Sequence, residues 1–212
     1  GFDVVTYTGD GVSGKQIPHS LNAVPEMIWV KNRDEGGENW GVYHKGLNGG
    51  SSPEDYLLKL NLTDAESDAA SMWNDTAPTA THFTLGNSAY GNSNTRAHIA
   101  MLFASVDGIS KCGSWTGLGT SAGNEIDVNL GFSPRFIIIK RTDNSDLGSW
   151  YTYDTTRGLT TLGSASKRLQ LDDSDAEATC NSCLEPTSTG FTIGLSARHN
   201  TSSAKYIYYA HA

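Results

Sequence analysis

At 212 residues, with 37% hydrophobic and 18% charged residues, the chain suits one large β domain or two small ones, and neither needs a metal or a disulfide staple. Fifteen Lys+Arg against 23 Asp+Glu give a formal net charge of −8, and with no basic run this argues against nucleic acid or an anionic membrane surface as a partner. The longest apolar stretches, 99–103 and 136–139, are far shorter than the ~20 residues of a spanning helix.

The chain opens at Gly1 without an initiator Met, as a processed start or a segment of a longer polypeptide would. Strands are expected at Phe2–Thr8, Met27–Arg33, Trp40–His44, Tyr56–Leu62, His82–Gly86 and Ala97–Val106, where β-branched and aromatic residues lie between Gly, Pro, Asn and Asp clusters. The composition of Thr63–Ser71 permits a short helical turn, as does that of 172–178. Thr8-Gly9-Asp10-Gly11-Val12-Ser13-Gly14 reads as a hairpin turn rather than a phosphate loop, because its partner Thr116–Gly119 repeats the glycines between strands. Phe136–Ile139 is continuously apolar, which predicts a central strand covered on both faces.

The main organisational signal is an internal repeat. Thr8–Gly11 matches Thr116–Gly119 at an offset of 108. PEMIWVKNRD (Pro25–Asp34) matches PRFIIIKRTD (Pro134–Asp143) at 109, and Trp40 and Tyr43 match Trp150 and Tyr153 at 110. Gly46-Leu47 corresponds to Gly158-Leu159, and Asp64–Glu66 to Asp175–Glu177. PTATHFTLG (Pro78–Gly86) returns as PTSTGFTIG (Pro186–Gly194), and Ile99–Ala104 as Ile207–Ala212. Small drifts in offset are what loop insertions between fixed elements produce. The expected fold is all-β, with a first repeat over 1–107 and a second over 108–212. About a dozen strands would form one pseudo-symmetric concanavalin-like or jelly-roll sandwich, the alternative being two small sandwiches in tandem.

Candidate chemistry is sparse. Glu125-Ile126-Asp127-Val128 resembles the carboxylate strand of laminarinase-like glycosidases, whose retaining mechanism needs two carboxyls ~5–5.5 Å apart. Asn129 and Leu130 stand where the second acid belongs, and the first repeat has Gln16-Ile17-Pro18-His19 there. Cys180-Asn181-Ser182-Cys183 has redox spacing but no strand-to-helix setting, so free thiols or a local disulfide are expected. The six histidines form no H-x-x-x-H pair, so no metal and no cofactor is expected. Asn61, Asn74 and Asn200 begin glycosylation sequons. Trp40, Tyr43, Trp150 and Tyr153 recur at matched places and are read as equivalent structural anchors, while the unmatched Trp73 and Tyr90 are better placed for ligand contacts.

On Val4–Gly11, Pro25–Arg33, Asn39–His44, Trp73–Thr76, Phe83–Gly86, Ser110–Gly119 and Tyr206–Ala212, the chain resembles a group of duplicated domains in tail-fibre-like and other virion proteins of marine bacteriophages, notably those of cyanobacteria. Cys112 and the ending Tyr209–Ala212 depart from that pattern. The resemblance implies a non-enzymatic structural protein on the surface of the viral particle: a tail fibre, appendage or capsid decoration component. It would form a homo-oligomer among other virion proteins, without membrane insertion. A lectin-like carbohydrate-binding module for host-surface glycans is the alternative, and a divergent glycoside hydrolase the second.

Overall fold

The computed structural model describes residues 1–162 and 164–212 and is all-β, every sheet pairing being antiparallel. It divides into two compact units: Gly1–Asn61 with Glu66–Ser105, and Leu62–Ala65 with Val106–Ala212. The second unit is thus not contiguous in sequence.

In the first unit β1 (Phe2–Thr8), β2 (Lys15–Pro18), β3 (Met27–Asn32), β4 (Gly41–His44), β5 (Tyr56–Lys59) and β6 (Ser67–Asp68) precede the short helix α1 (Ala70–Trp73). Then come β7 (His82–Leu85), the helical turn α2 (Ala89–Asn92) and β8 (Ala97–Phe103). Six strands form one sheet in the order β1-β8-β3-β4-β5-β6, and β2 pairs with β7 in a small second sheet. The core lies between them. Ile17, Phe83 and Leu85 of the small sheet meet Ile28, Val30, Tyr43, Leu57, Ala100 and Leu102 of the large one. Alternation along β3 and β8 puts these residues on one face, which is what fixes the register.

The second unit repeats this plan with β9 (Ser110–Thr116), β10 (Ile126–Asn129), β11 (Phe136–Arg141), β12 (Trp150–Asp154), β13 (Ala165–Gln170) and β14 (Ala178–Asn181). These are followed by β15 (Leu184–Pro186), β16 (Gly190–Ile193), α3 (Ala197–Asn200) and β17 (Lys205–His211). The large sheet runs β9-β17-β11-β12-β13-β14, the same order strand for strand, and the small sheet is β10-β16-β15. Each unit has its own buried cluster, so each is a two-sheet sandwich in its own right. β11 is central, between β12 and β17, and Ile137, Ile138 and Ile139 are all buried.

Three expectations are corrected. The turn at 63–71 is a two-residue strand and then α1, whereas 172–178 leads directly into β14 with no helix. The glycine loop after β1 is no hairpin: β1 pairs with β8 and β2 with β7, so the loop carries the chain from one sheet to the other. There a Cβ on Gly9 would overlap the Ser93 carbonyl oxygen, and one on Gly117 that of Thr201. The glycines serve that close approach. The strand total also exceeds a dozen, because the small sheets use strands of three and four residues, too short to show a period of two.

Candidate functional site

Most residues that looked chemically suggestive are engaged in holding the backbone. Glu125 and Asp127 are exposed at the start of β10. A Glu125 carboxylate oxygen accepts from the Gly123 amide at 3.0 Å, and Asp127 Oδ1 accepts from Thr192 Oγ1 at 2.7 Å. A hollow of about 280 Å³ beside them is lined by Asp127, Val128, Asn129, Thr187, Thr189 and Phe191, with Asp127 its one carboxylate among the described residues. General acid catalysis needs a second one.

Cys180 and Cys183 are joined as a disulfide and are buried. Among the described residues no group of three His, Cys, Asp or Glu side chains is placed to hold a metal ion. Asn61 accepts from the Trp40 amide and donates to Asn39, and Asn200 is fully buried, so neither side-chain amide is free for a glycan.

Tyr43, Trp150 and Tyr153 are buried, whereas Trp40 is only partly so. The two tryptophans keep equivalent backbone bonds: the Trp40 amide donates to Asn61 Oδ1 at 3.0 Å and that of Trp150 to Asp172 Oδ1 at 2.7 Å. They are equivalent in position but not in burial. Tyr43 and Tyr153 enter the core clusters and the tryptophans do not, as a three-residue spacing along a strand requires. Of the unmatched aromatics, Trp73 is in the core and Tyr90 packs against it.

A pair not singled out from the sequence is Asn92 and Asn200, at the end of α2 and of α3. Both are fully buried. Asn92 Nδ2 donates to the Gly86 carbonyl at 2.8 Å and to that of Val12 at 3.0 Å, and its Oδ1 accepts from the Asp10 amide at 3.0 Å. Asn200 does the same with Gly194 (3.1 Å), Asn124 (2.7 Å) and the Leu118 amide (2.7 Å). The signal was present in the sequence, since Ser88-Ala89 and Asn92 match Ser196-Ala197 and Asn200 at the offset of 108. In both turns the serine accepts from the amide two residues on, an N-cap.

Because the two large sheets share strand order and register, their residues can be compared place by place, and one place stands out by its divergence. In the first unit Gly41 and Gly91 lie against Met72, Leu57 belongs to the same buried cluster, and Tyr90 packs against that cluster. A Cβ on Gly41 would come within 2.5 Å of the Met72 methyl carbon, and one on Gly91 within 2.9 Å. The β-pairings align Gly41 with Tyr151 and Leu57 with Arg168, and the matching turns α2 and α3 align Tyr90 and Gly91 with Arg198 and His199, while Met72 corresponds to Cys183. The amides of Gly86 and Gly194 confirm the last match by bonding the carbonyls of Met72 and Cys183 respectively. Two rings and two guanidiniums therefore stand where the first unit has two glycines, a leucine and a tyrosine.

The guanidinium carbon of Arg168 lies 5.1 Å from the Tyr151 ring centroid and that of Arg198 lies 5.8 Å from it, within cation–π range. Arg168 Nη1 donates to Gln170 Oε1, and Arg198 Nη1 approaches Tyr151 Oη at 3.4 Å. Arg168 is 8% exposed, and its Nε is buried without an acceptor among the described residues. His199 Nε2 and Tyr153 Oη are 2.7 Å apart, and the imidazole Nδ1 has no partner among the described residues. Burial, reinforced by the two nearby guanidinium charges, pulls the His199 pKa down to about 3, so the ring is neutral, and burial pushes the Tyr153 phenol up.

The chain matches no curated protein and no solved structure. Along its whole length, residues 1–212, it matches the model of a family described as a domain of unknown function, and the chain belongs to that family, DUF7483.

Proposed function

We propose that the chain is a non-enzymatic structural domain of a virion surface protein, in a tail fibre, appendage or head decoration, assembling with copies of itself. The observation that carries this reading is where the resembling motifs fall. Val4–Gly11, Pro25–Arg33, Asn39–His44, Phe83–Gly86, Ser110–Gly119 and 206–212 fall on strands and tight turns of the two sandwiches and Trp73–Thr76 on the end of α1 and the turn after it, so the resembling segments are scaffold. The carboxylates that a hydrolase would use are tied to local backbone and hydroxyl groups instead. Immunogold labelling of intact particles with an antibody against the chain tests the reading: label on an external appendage or the head surface is expected, and particles that lack the chain would overturn it.

A second reading, a lectin-like module for host-surface glycans, is favoured by the divergence at Tyr151, Arg168, Arg198 and His199. Duplicated packing has no need of two arginines. For the third, a divergent glycosidase, incubation with laminarin provides the test. No cleavage is expected, and cleavage abolished by Glu125→Gln would reverse the assignment.

A further inference from the structure

We propose that Arg168 and Arg198, gathered on Tyr151 in the second unit, form a binding site for an oxyanion, a carboxylate or sulfate group that docks on Arg198 and is drawn by the uncompensated charge of Arg168 behind it.

The first support is charge. Arginine stays protonated at any physiological pH, and a ring quadrupole offsets only part of its charge. A buried guanidinium is normally matched by a carboxylate. The chain has eight more acidic than basic residues, yet no carboxylate forms an ion pair with either arginine among the described residues, and one buried Nε–H is left without an acceptor. Neighbouring His199 is neutral and supplies no charge.

The internal control is the second support. Volume alone accounts for the rings: Tyr151 and His199 occupy space that the glycines at 41 and 91 leave to Met72. It does not account for the arginines, whose counterparts Leu57 and Tyr90 are an aliphatic and an aromatic side chain on the same scaffold. The third support is access. Arg198 lies on α3 and is partly exposed, so a ligand reaches it without unfolding the sandwich, while Arg168 is fixed from below by Gln170, which in turn bonds Ser149. Two guanidiniums 5.1 and 5.8 Å from one ring centroid, one of them fixed by Gln170, put more positive charge at this place than a lone surface arginine would, and charge-assisted bonds to an anion are the stronger for it.

The test is an amide NMR titration of the full 212-residue chain in low-salt buffer with sodium sulfate, glucuronate and glucose. Sulfate or glucuronate should shift the amides of Arg168, Arg198 and His199 saturably, and should leave Leu57, Tyr90 and Gly91 unmoved. Glucose should do nothing at this site. Tighter binding of glucuronate than of sulfate identifies a sugar-borne carboxylate as the ligand, and the reverse order identifies a free inorganic anion. Arg198→Gln, on a partly exposed turn, should melt like the parent and bind at least tenfold more weakly. Arg168→Gln should also weaken binding of both anions, and undiminished binding in it would overturn the part assigned to Arg168. Absence of saturable shifts with both anions, or undiminished binding by Arg198→Gln, would overturn the proposal.

Discussion

Tyr7 and Trp115 perform one task with different chemistry. Tyr7 Oη donates to the Gly91 carbonyl at 2.7 Å, and Trp115 Nε1 donates to the carbonyl of His199, the counterpart of Gly91, at 2.9 Å. Each ring also stacks on the residue across the ladder, Tyr7 on His98 at 5.2 Å and Trp115 on Tyr206 at 5.1 Å. What the repeats preserve is a ring with a polar edge that reaches the helical turn, not a residue type.

Removing only that polar edge should therefore show in stability. Tyr7→Phe keeps the stack and orphans the Gly91 carbonyl, for a loss of about 1 kcal/mol. Trp115→Phe also leaves a void in a tighter core, for about 2–3 kcal/mol. Urea denaturation at neutral pH measures both, and equal losses would contradict this account.

Asn92→Ala and Asn200→Ala should each cost about 3 kcal/mol, because each leaves two carbonyls and an amide without their partner in a buried or partly buried setting. Chemical denaturation of the two variants is the check. A change below 1 kcal/mol at either site would mean that water enters and replaces the side chain.

Lys140 is buried, and its Nζ donates to the carbonyls of Thr63 and Asp64, both at 2.9 Å, and of Gly148. Its counterpart Lys31 makes two such bonds, to Asn32 and Glu35, from a partly exposed position. Lys140→Met should cost about 2–4 kcal/mol and Lys31→Met under about 1 kcal/mol, since water can serve the carbonyls only at Lys31. Thermal melting of the pair distinguishes them.

His199 should make the fold sensitive to acid. Its folded pKa of about 3 lies below the ~6.5 of an unfolded chain, so between those values the unfolded state binds the extra proton. The stability in question is intact above pH 6.5 and declines as pH falls toward 3, by up to about 1.4 kcal/mol per unit. Urea midpoints at pH 7.0, 5.5 and 4.5 should fall less steeply in His199→Gln than in the parent.

The two tryptophans should respond unequally. Trp150, 1% exposed, should cost about 3–5 kcal/mol on truncation to Ala. Trp40, partly exposed, should cost about 1–2 kcal/mol. Matched losses in calorimetry would restore the equivalence that their positions suggest.

Why the sequence reveals some of this and hides the rest follows from how each feature is encoded. β1, β3, β7 and β8 are legible because β-branched and aromatic runs end at glycine or polar clusters, and Ile137–Ile139 announces a central strand. β2 and β6 are not, since Lys15–Pro18 and Ser67–Asp68 carry too few apolar residues for a periodicity; only the partner strands define them. Trp40 misleads because a matched position fixes backbone register, while burial depends on what covers the side chain. Tyr7 and Trp115 escape a search for identical residues. The arginine site is hidden in one dimension for a related reason: Tyr151, Arg168 and Arg198 come from three separate elements, and although the repeat offsets set Tyr151 against Gly41 and Arg198 against Tyr90, it takes the cross-strand register to set Arg168 against Leu57.

The exchange of Gly41, Met72 and Gly91 for Tyr151, Cys183 and His199 also constrains how the repeats came to differ. A tyrosine placed at 41 obliges the Met72 side chain to move aside, and a cysteine placed at 72 leaves the two glycines facing a gap. An intermediate with one of these substitutions alone has to move the Met72 side chain or hold a void. In a lone copy that intermediate would have to fold by itself. A tandem array eases the passage, because one copy keeps a sound interior while its sibling is between solutions. Covariation among these three positions, and not at any one alone, is the mark such a history leaves in a family.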